Sequence, residues 1–270
     1  MNKFEEYINS EIPIKKELET IFRMEDPLVI FDIGACEGED SIRYNYLFKN
    51  AAIYSFEPLP ENFDKCIINF SKDSFKRIRP FQLALSSSNG VAKFYVSSGS
   101  PEGKNRPDWD YGNKSSSLYS PDASYKKNEW LKFEKEIEVK KQTISSFCLD
   151  HSIQKVDFIH MDVQGAELDV LIGAETILSS IKAIWLEVEN VSMYEGQPLK
   201  KDIEKFMKKM DFIKIKDTAF GDSGDQLYLN SMYSSKFKVF IIKSIILINL
   251  KHIYSDIIHL KNKIKKHIIN

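Results

Sequence analysis

Residues 28–38, Leu-Val-Ile-Phe-Asp-Ile-Gly-Ala-Cys-Glu-Gly, limit the possible folds of this chain more than any other stretch. Leu28 to Phe31 is an uninterrupted apolar run, which suits a short central strand buried on both faces. Asp32 closes the run, a turn with Gly34 and Gly38 follows, and a polar stretch then opens a helix. A strand, a glycine turn and a helix start together make a site for a nucleotide-like ligand. Glycine lets the backbone approach closely, and the N–H groups at a helix start face whatever is bound. The spacing lacks the middle glycine of the G-x-G-x-x-G dinucleotide motif, so the turn alone does not name the ligand.

Short apolar runs and amphipathic segments alternate along the rest of the chain. Residues 3–23 read as one helix capping an edge. Ala51–Phe56 predicts a second strand, closed by Glu57 and stopped by Pro58. Glu57 stands roughly 20 residues past the turn, where Rossmann-like folds place the carboxylate that meets ribose hydroxyls. Phe63, Cys66, Ile67 and Phe70 fall at i, i+3, i+4 and i+7, which predicts a core-facing stripe with Cys66 inside it. Arg79–Leu85 reads as a third strand. Asn89-Gly90 then signals a hairpin turn into Val91–Val96, and the alternation of Lys132–Lys141 predicts its partner.

Residues 97–128 are rich in Ser, Gly, Pro, Asn and Asp and too long for a plain connection, so they carry function or disorder. Within them Ser115-Ser116-Ser117-Leu118, near Trp109, Tyr111 and Tyr119, reads equally as a lid over a sugar-like acceptor and as an exposed loop. Thr143–Leu149 is a short helix. Val156–Met161 is the fourth core strand and ends at Asp162. A helix striped by Val170, Leu171, Ala174, Ile177 and Leu178 follows, then a fifth strand, Ala183–Val188. Ile203 to Met210 marks another helix, and Phe212–Ile215 with Gln226–Leu229 a closing pair of strands. Trp185 and Tyr194 read as packing residues.

This alternation predicts a parallel, doubly wound α/β sheet, whose ligands bind beyond the carboxyl ends of the strands. Asp32, Glu57, Leu85 and Asp162 all fall at such ends. Four strand ends with suitable chemistry weigh more than one glycine turn.

The sequence blocks are familiar. Phe-Asp-Ile-Gly-Ala-Cys-Glu-Gly, Ser-Phe-Glu-Pro-Leu-Pro-Glu-Asn, Leu-Ala-Leu-Ser-Ser-Ser-Asn-Gly and Ile-His-Met-Asp-Val-Gln-Gly-Ala-Glu resemble the successive blocks of FkbM-type S-adenosylmethionine-dependent methyltransferases, over about residues 28–230. The resemblance implies a class I methyltransferase, Rossmann-like fold: seven strands with the last antiparallel, here carrying a hairpin and loop insertion. It implies S-adenosyl-L-methionine as methyl donor and O-methylation of a hydroxyl on a sugar, glycan or related metabolite. Carried over by position, Asp32, Gly34 and Gly38 would wall the methionine part of the cofactor. Glu57 would hold the ribose, Leu83, Ala84 and Leu85 would flank the adenine, and Asp162 would sit where cofactor and acceptor meet. His160 replaces the Lys most members have two residues before that Asp. It reads as a satisfied core histidine or as a substrate-side base. Asp162 and His160 are the catalytic candidates, with Asp162 read first as a cofactor ligand. No metal-ligand spacing is present.

Composition bounds the remaining classes. The first residues contain no apolar stretch of the secretory kind, and three scattered cysteines suit a reducing compartment, so the expected location is cytoplasmic. Residues 236–270 carry eight Lys and one Asp, a balance of +7, which leaves −8 on the preceding residues. An acidic body argues against nucleic acid as substrate. The expected division is an N-terminal helical extension (1–27), a methyltransferase domain (28–235, with an insertion at about 90–141) and a basic amphipathic helical tail (236–270). Leu250, Ile253, Ile257, Leu260, Ile264 and Ile268 fall on one face of that tail. It is read as docking on an anionic membrane, peripherally at the inner face, on a partner protein, or back on its own domain. A nicotinamide-dependent oxidoreductase on the same sheet and a catalytically silent scaffold are the competing readings. The first lacks G-x-G-x-x-G and an evident hydride-site pair.

Overall fold

The computed structural model describes residues 2–101, 111–122 and 130–268. In chain order the first half runs α1 (Lys3–Ile8), α2 (Lys15–Ile21), β1 (Val29–Ile33), α3 (Glu39–Leu47), β2 (Ala52–Phe56), α4 (Pro60–Asn69), β3 (Ile78–Phe81), β4 (Ala84–Leu85) and β5 (Gly90–Ser98). The second half runs β6 (Lys132–Gln142), α5 (Ile144–Asp150), β7 (Phe158–Met161), α6 (Glu167–Gly173), β8 (Ala183–Glu189), α7 (Lys200–Lys209), β9 (Phe212–Asp217), β10 (Ser223–Asn230) and α8 (Lys238–Ile268).

Seven strands form the main sheet in the order β3-β2-β1-β7-β8-β10-β9. All are parallel except β10, which runs against both neighbours. This is the class I methyltransferase arrangement. The strand order reverses between β1 and β7, so a crevice opens there at the carboxyl edge. Alternate residues of β1 feed opposite layers. Ile30 packs with α2, α3 and α8, whereas Phe31 packs with α5 and α6. Each such fully buried side chain contributes ~1.5–3 kcal/mol.

The insertion forms a second sheet, β4-β6-β5. Its β5–β6 hairpin is antiparallel, with Phe94 opposite Ile137, the pairing that the alternation predicts. Leu59, Ala84, Phe94, Val96 and Val139 make a small core beneath it, beside the carboxyl edge of the main sheet.

Three expectations are corrected. Residues 3–23 form two helices instead of one, because Pro13 removes a backbone donor and disfavours helix at Ile12. The single strand expected over 79–85 is divided. Ile78–Phe81 joins β2, and Ala84–Leu85 crosses to pair with Lys141 and Gln142 in the second sheet. The α4 stripe is rotated: Ile67 is exposed, and the buried face is Asn62, Cys66 and Phe70. That face meets the polar Cys36–Glu37 turn, where Asn62 and Asn69 supply hydrogen bonds that an apolar stripe could not.

Candidate active site

The carboxyl edge holds a cavity of about 260 Å³ at the switch point. Its floor is the turn after β1. Gly34 has φ +83°, and a Cβ there would stand 1.8 Å from the Asp162 carbonyl oxygen, so only glycine lets β1 and β7 converge. The N–H groups of Gly34 and Ala35 both donate to Phe56 O, at 3.0 and 2.9 Å, tying the turn to β2. Gly38 is different. At φ +88° it precedes α3, and its missing side chain makes room for the Phe70 ring, behind the cavity wall.

Asp32, Gly34, Glu57, Ala84, His160 and Asp162 all line the cavity, so every site position expected from sequence except Gly38 opens onto one space. Glu57 is 6% exposed and accepts from two backbone donors, Cys36 N and Leu59 N, each at 2.8 Å. Burial pushes its carboxyl up to about 8 despite those donors. Leu83, Ala84, Leu85 and Phe94 give the same end an apolar wall.

In the middle, Asp32 is 2% exposed and accepts from Ser41 Oγ at 2.6 Å. His160 Nδ1 lies 3.5 Å from the other Asp32 oxygen and has no hydrogen-bond partner. Burial raises Asp32 to about 6, with the His160 imidazole opposing. The Tyr44 ring meets that imidazole edge-on, 5.6 Å between centroids. Asp162 is exposed into the cavity and is oriented by Gln164, whose Nε2 donates to it at 2.7 Å and to Glu187 at 2.8 Å.

Several lining residues were not singled out in the sequence. Tyr7 and Pro13 arrive from the N-terminal segment, Asp40 and Arg43 from α3, and Asp225 from β10. Tyr7 OH donates to Asp40 at 3.1 Å. Arg43 pairs with Asp40 at 2.8 Å and lies under the Tyr7 ring. Asp225 is raised to about 6 by burial and by Asp162, with His160 opposing. Its register partner on β8 is Glu187, so the pairing of β10 with β8 brings it to the edge. No local sequence signal carries that information. Trp185, read as packing, also lines the cavity, while Tyr194 is fully buried with its OH donating to Ser115 O and Gln164 Oε1.

The Ser-rich run forms a strap beside the Glu57 end. Lys114 Nζ reaches Glu39 at 2.7 Å and Cys36 Sγ at 3.3 Å, and Asn113 Nδ2 donates to Asn62 at 2.6 Å. Ser117 exchanges backbone hydrogen bonds with Tyr95, and its hydroxyl donates to Gln164 O at 2.6 Å. Trp109 lies outside the described residues. Among the described residues no group of three or more His, Cys, Asp or Glu side chains is placed to hold a metal ion.

A family model described as the methyltransferase FkbM domain matches residues 32–214. The chain belongs to the FkbM methyltransferase family. As an FkbM methyltransferase it takes its methyl group from S-adenosylmethionine. It is similar to the 2-O-methyltransferase NoeI of Sinorhizobium fredii, with 32% identity over 188 residues, 70% of this chain and 74% of the relative. Among solved structures it matches the precorrin-6y C5,15-methyltransferase of Geobacter metallireducens at TM-score 0.39 and 14% identity, covering 82% of this chain and 88% of that one. It also matches Aeropyrum pernix fibrillarin, solved with natively bound S-adenosyl-L-methionine, at TM-score 0.41 and 12% identity, covering 79% and 74%.

Proposed function

We propose that this FkbM methyltransferase transfers a methyl group to a hydroxyl of a sugar or glycan. The cavity that joins Glu57, Asp162 and His160 carries the reading, together with a relative named as a 2-O-methyltransferase. The residues fit the donor. Six acidic residues (Asp32, Glu39, Asp40, Glu57, Asp162 and Asp225) line the cavity against Arg43 and Lys114, and even with Glu57 holding its proton this excess of acids gives a field that favours a sulfonium cation. Glu57 would hold the ribose hydroxyls with the lone pairs its two backbone donors leave. Leu83, Ala84 and Leu85 would flank the adenine. Asp32 and Gly34 would shape the methionine side, and Gly38 would act indirectly by setting the start of α3. Bound there, S-adenosylmethionine supplies an electrophilic methyl group.

The protein's part is mainly positioning, which can lower a barrier by ~7–11 kcal/mol. Asp162, exposed at the junction and fixed by Gln164, orients the acceptor hydroxyl. His160 takes up the hydroxyl proton at Nε2, with its Nδ1 side turned to Asp32. A general base of this kind contributes about 10²–10⁴-fold. The domain boundaries at 27/28 and 235/236 belong to the same reading, with the tail as a contact with an anionic membrane or a partner protein outside the cavity.

Calorimetric titration of S-adenosylmethionine tests the core of the proposal. Wild type should bind in the micromolar range, and Glu57→Ala should weaken binding by at least about tenfold, near the loss of two ribose hydrogen bonds at ~0.5–1.5 kcal/mol each. Equal affinity of the two proteins would remove Glu57 from the site.

A further inference from the structure

Helix α8 buries one side and leaves the other bare. Phe237, Ile241 and Ile248 pack against the body, the first two within the layer that covers Ile30. Val239, Ile242, Ile246, Leu247, Leu250 and Tyr254 are between 49% and 67% exposed. At 3.6 residues per turn, Val239, Ile242, Ile246 and Leu250 fall within an arc of about 80°, opposite Ile241 and Ile248. A surface helix that has met its core on one side has no folding reason for a second apolar stripe. Phe220, in the loop after β9, extends the patch by sharing an apolar recess with Leu250, Tyr254 and Ile258.

Charge selects among occupants. The tail from residue 236 carries eight Lys against one Asp. Two copies joined along this stripe would bring +7 against +7, with almost no acid to pair. An anionic surface meets both the lysines and the apolar side chains, and the acidic body would stay turned away from it. Among the described residues no helix is long and apolar enough to cross a membrane, so the helix would lie in the interfacial plane. Placement adds a second observation. Strand β9 runs parallel to β8, so Phe220 stands at the carboxyl edge, where the cavity opens.

We propose that α8 rests on an anionic phospholipid bilayer, with the Val239–Leu250 stripe below the headgroups and the exposed Lys238, Lys243 and Lys251 among them, and that this holds the cavity-bearing edge beside the lipid surface. The inference does not depend on methyl transfer, and S-adenosylmethionine binding reports separately on that reading.

Co-sedimentation of the full chain with vesicles tests it. Phosphatidylcholine containing about one-third phosphatidylglycerol should bind the protein at least about tenfold more tightly than phosphatidylcholine alone. Much of that preference should vanish near 1 M salt, where screening acts within roughly 3 Å. The variant I242D/I246D/L250D should lose binding at least about tenfold, while K243Q/K251Q should lose the preference for the anionic lipid. Both should bind S-adenosylmethionine as wild type does, which shows that the body is folded. Wild type left in the supernatant with anionic vesicles overturns the proposal. So does a concentration-dependent dimer in sedimentation velocity that I242D/I246D/L250D abolishes.

Discussion

At the Glu57 end the cavity is shaped by backbone, through the Gly34 turn, the Cys36 and Leu59 N–H groups that fix Glu57 and the crossing to β4, and is lined by the apolar Leu83, Leu85 and Phe94. At the Tyr7 end it is walled by side chains from α1, α3, β8 and β10. Asp225 on β10 lies four strand spacings from β2, about 19 Å. A cofactor of fixed shape can be met by fixed backbone. Side chains on separate helices and strands, as at the Tyr7 end, can change without refolding the sheet, which suits the recognition of an acceptor. The two ends should therefore respond differently to substitution.

Gly34→Ala should have the largest effect. The new Cβ meets Asp162 O at a φ that L residues rarely adopt, at a cost of roughly 4 kcal/mol or more. Thermal unfolding should show the loss, and titration should show no S-adenosylmethionine binding. A stable, binding variant would break the contrast. Next, His160→Gln should lower kcat by about 10²–10⁴-fold and leave the cofactor Kd within about twofold. A matching loss of cofactor affinity would move His160 to the backbone-shaped end.

The third prediction is a pH dependence. Burial penalises the charged form of Glu57, so the folded protein holds that proton up to about pH 8, whereas the unfolded chain releases it near 4.5. Its contribution to stability is therefore full at low pH and is lost as pH rises through about 8. Glu57→Gln, which cannot ionise but can accept from only one of the two backbone donors, should lie about 1–3 kcal/mol below wild type near pH 4 and gain a few kcal/mol relative to it by pH 9, measured by urea unfolding without ligand. The smallest effect belongs to the other end. Tyr7→Phe removes the hydrogen bond to Asp40 and should raise the acceptor KM by about two- to tenfold with the cofactor Kd unchanged.

The same contrast explains what could be read from the chain. The β1 run, the Gly34 turn, Glu57 and Asp162 lie at strand ends, where apolar period and a closing acid are local signals. The break at Gln82 and Leu83 is not local, because Ala84 finds its partner at Lys141. Nor is the contribution of Tyr7, Arg43 or Asp225, which depends on how α1 lies across α3 and on the register of β10. Pro13 did carry a signal for the helix break. The polar face of α4 was hidden because Asn62 is buried, and Asn69 half-buried, for their hydrogen bonds.

The strap joins the two ends. It is latched through Lys114 to Glu39 near the donor side, and through Ser117 to Gln164, the residue that aims Asp162. The Tyr7 side is held separately by the N-terminal segment, through Tyr7 OH to Asp40 and Arg43 to the Glu11 carbonyl oxygen. The two sides are thus held by separate contacts, and parting the strap would leave those of the N-terminal segment intact. Because one strap touches both Glu39 and the Gln164 that aims Asp162, its parting would loosen the donor wall and release the acceptor-orienting carboxylate together.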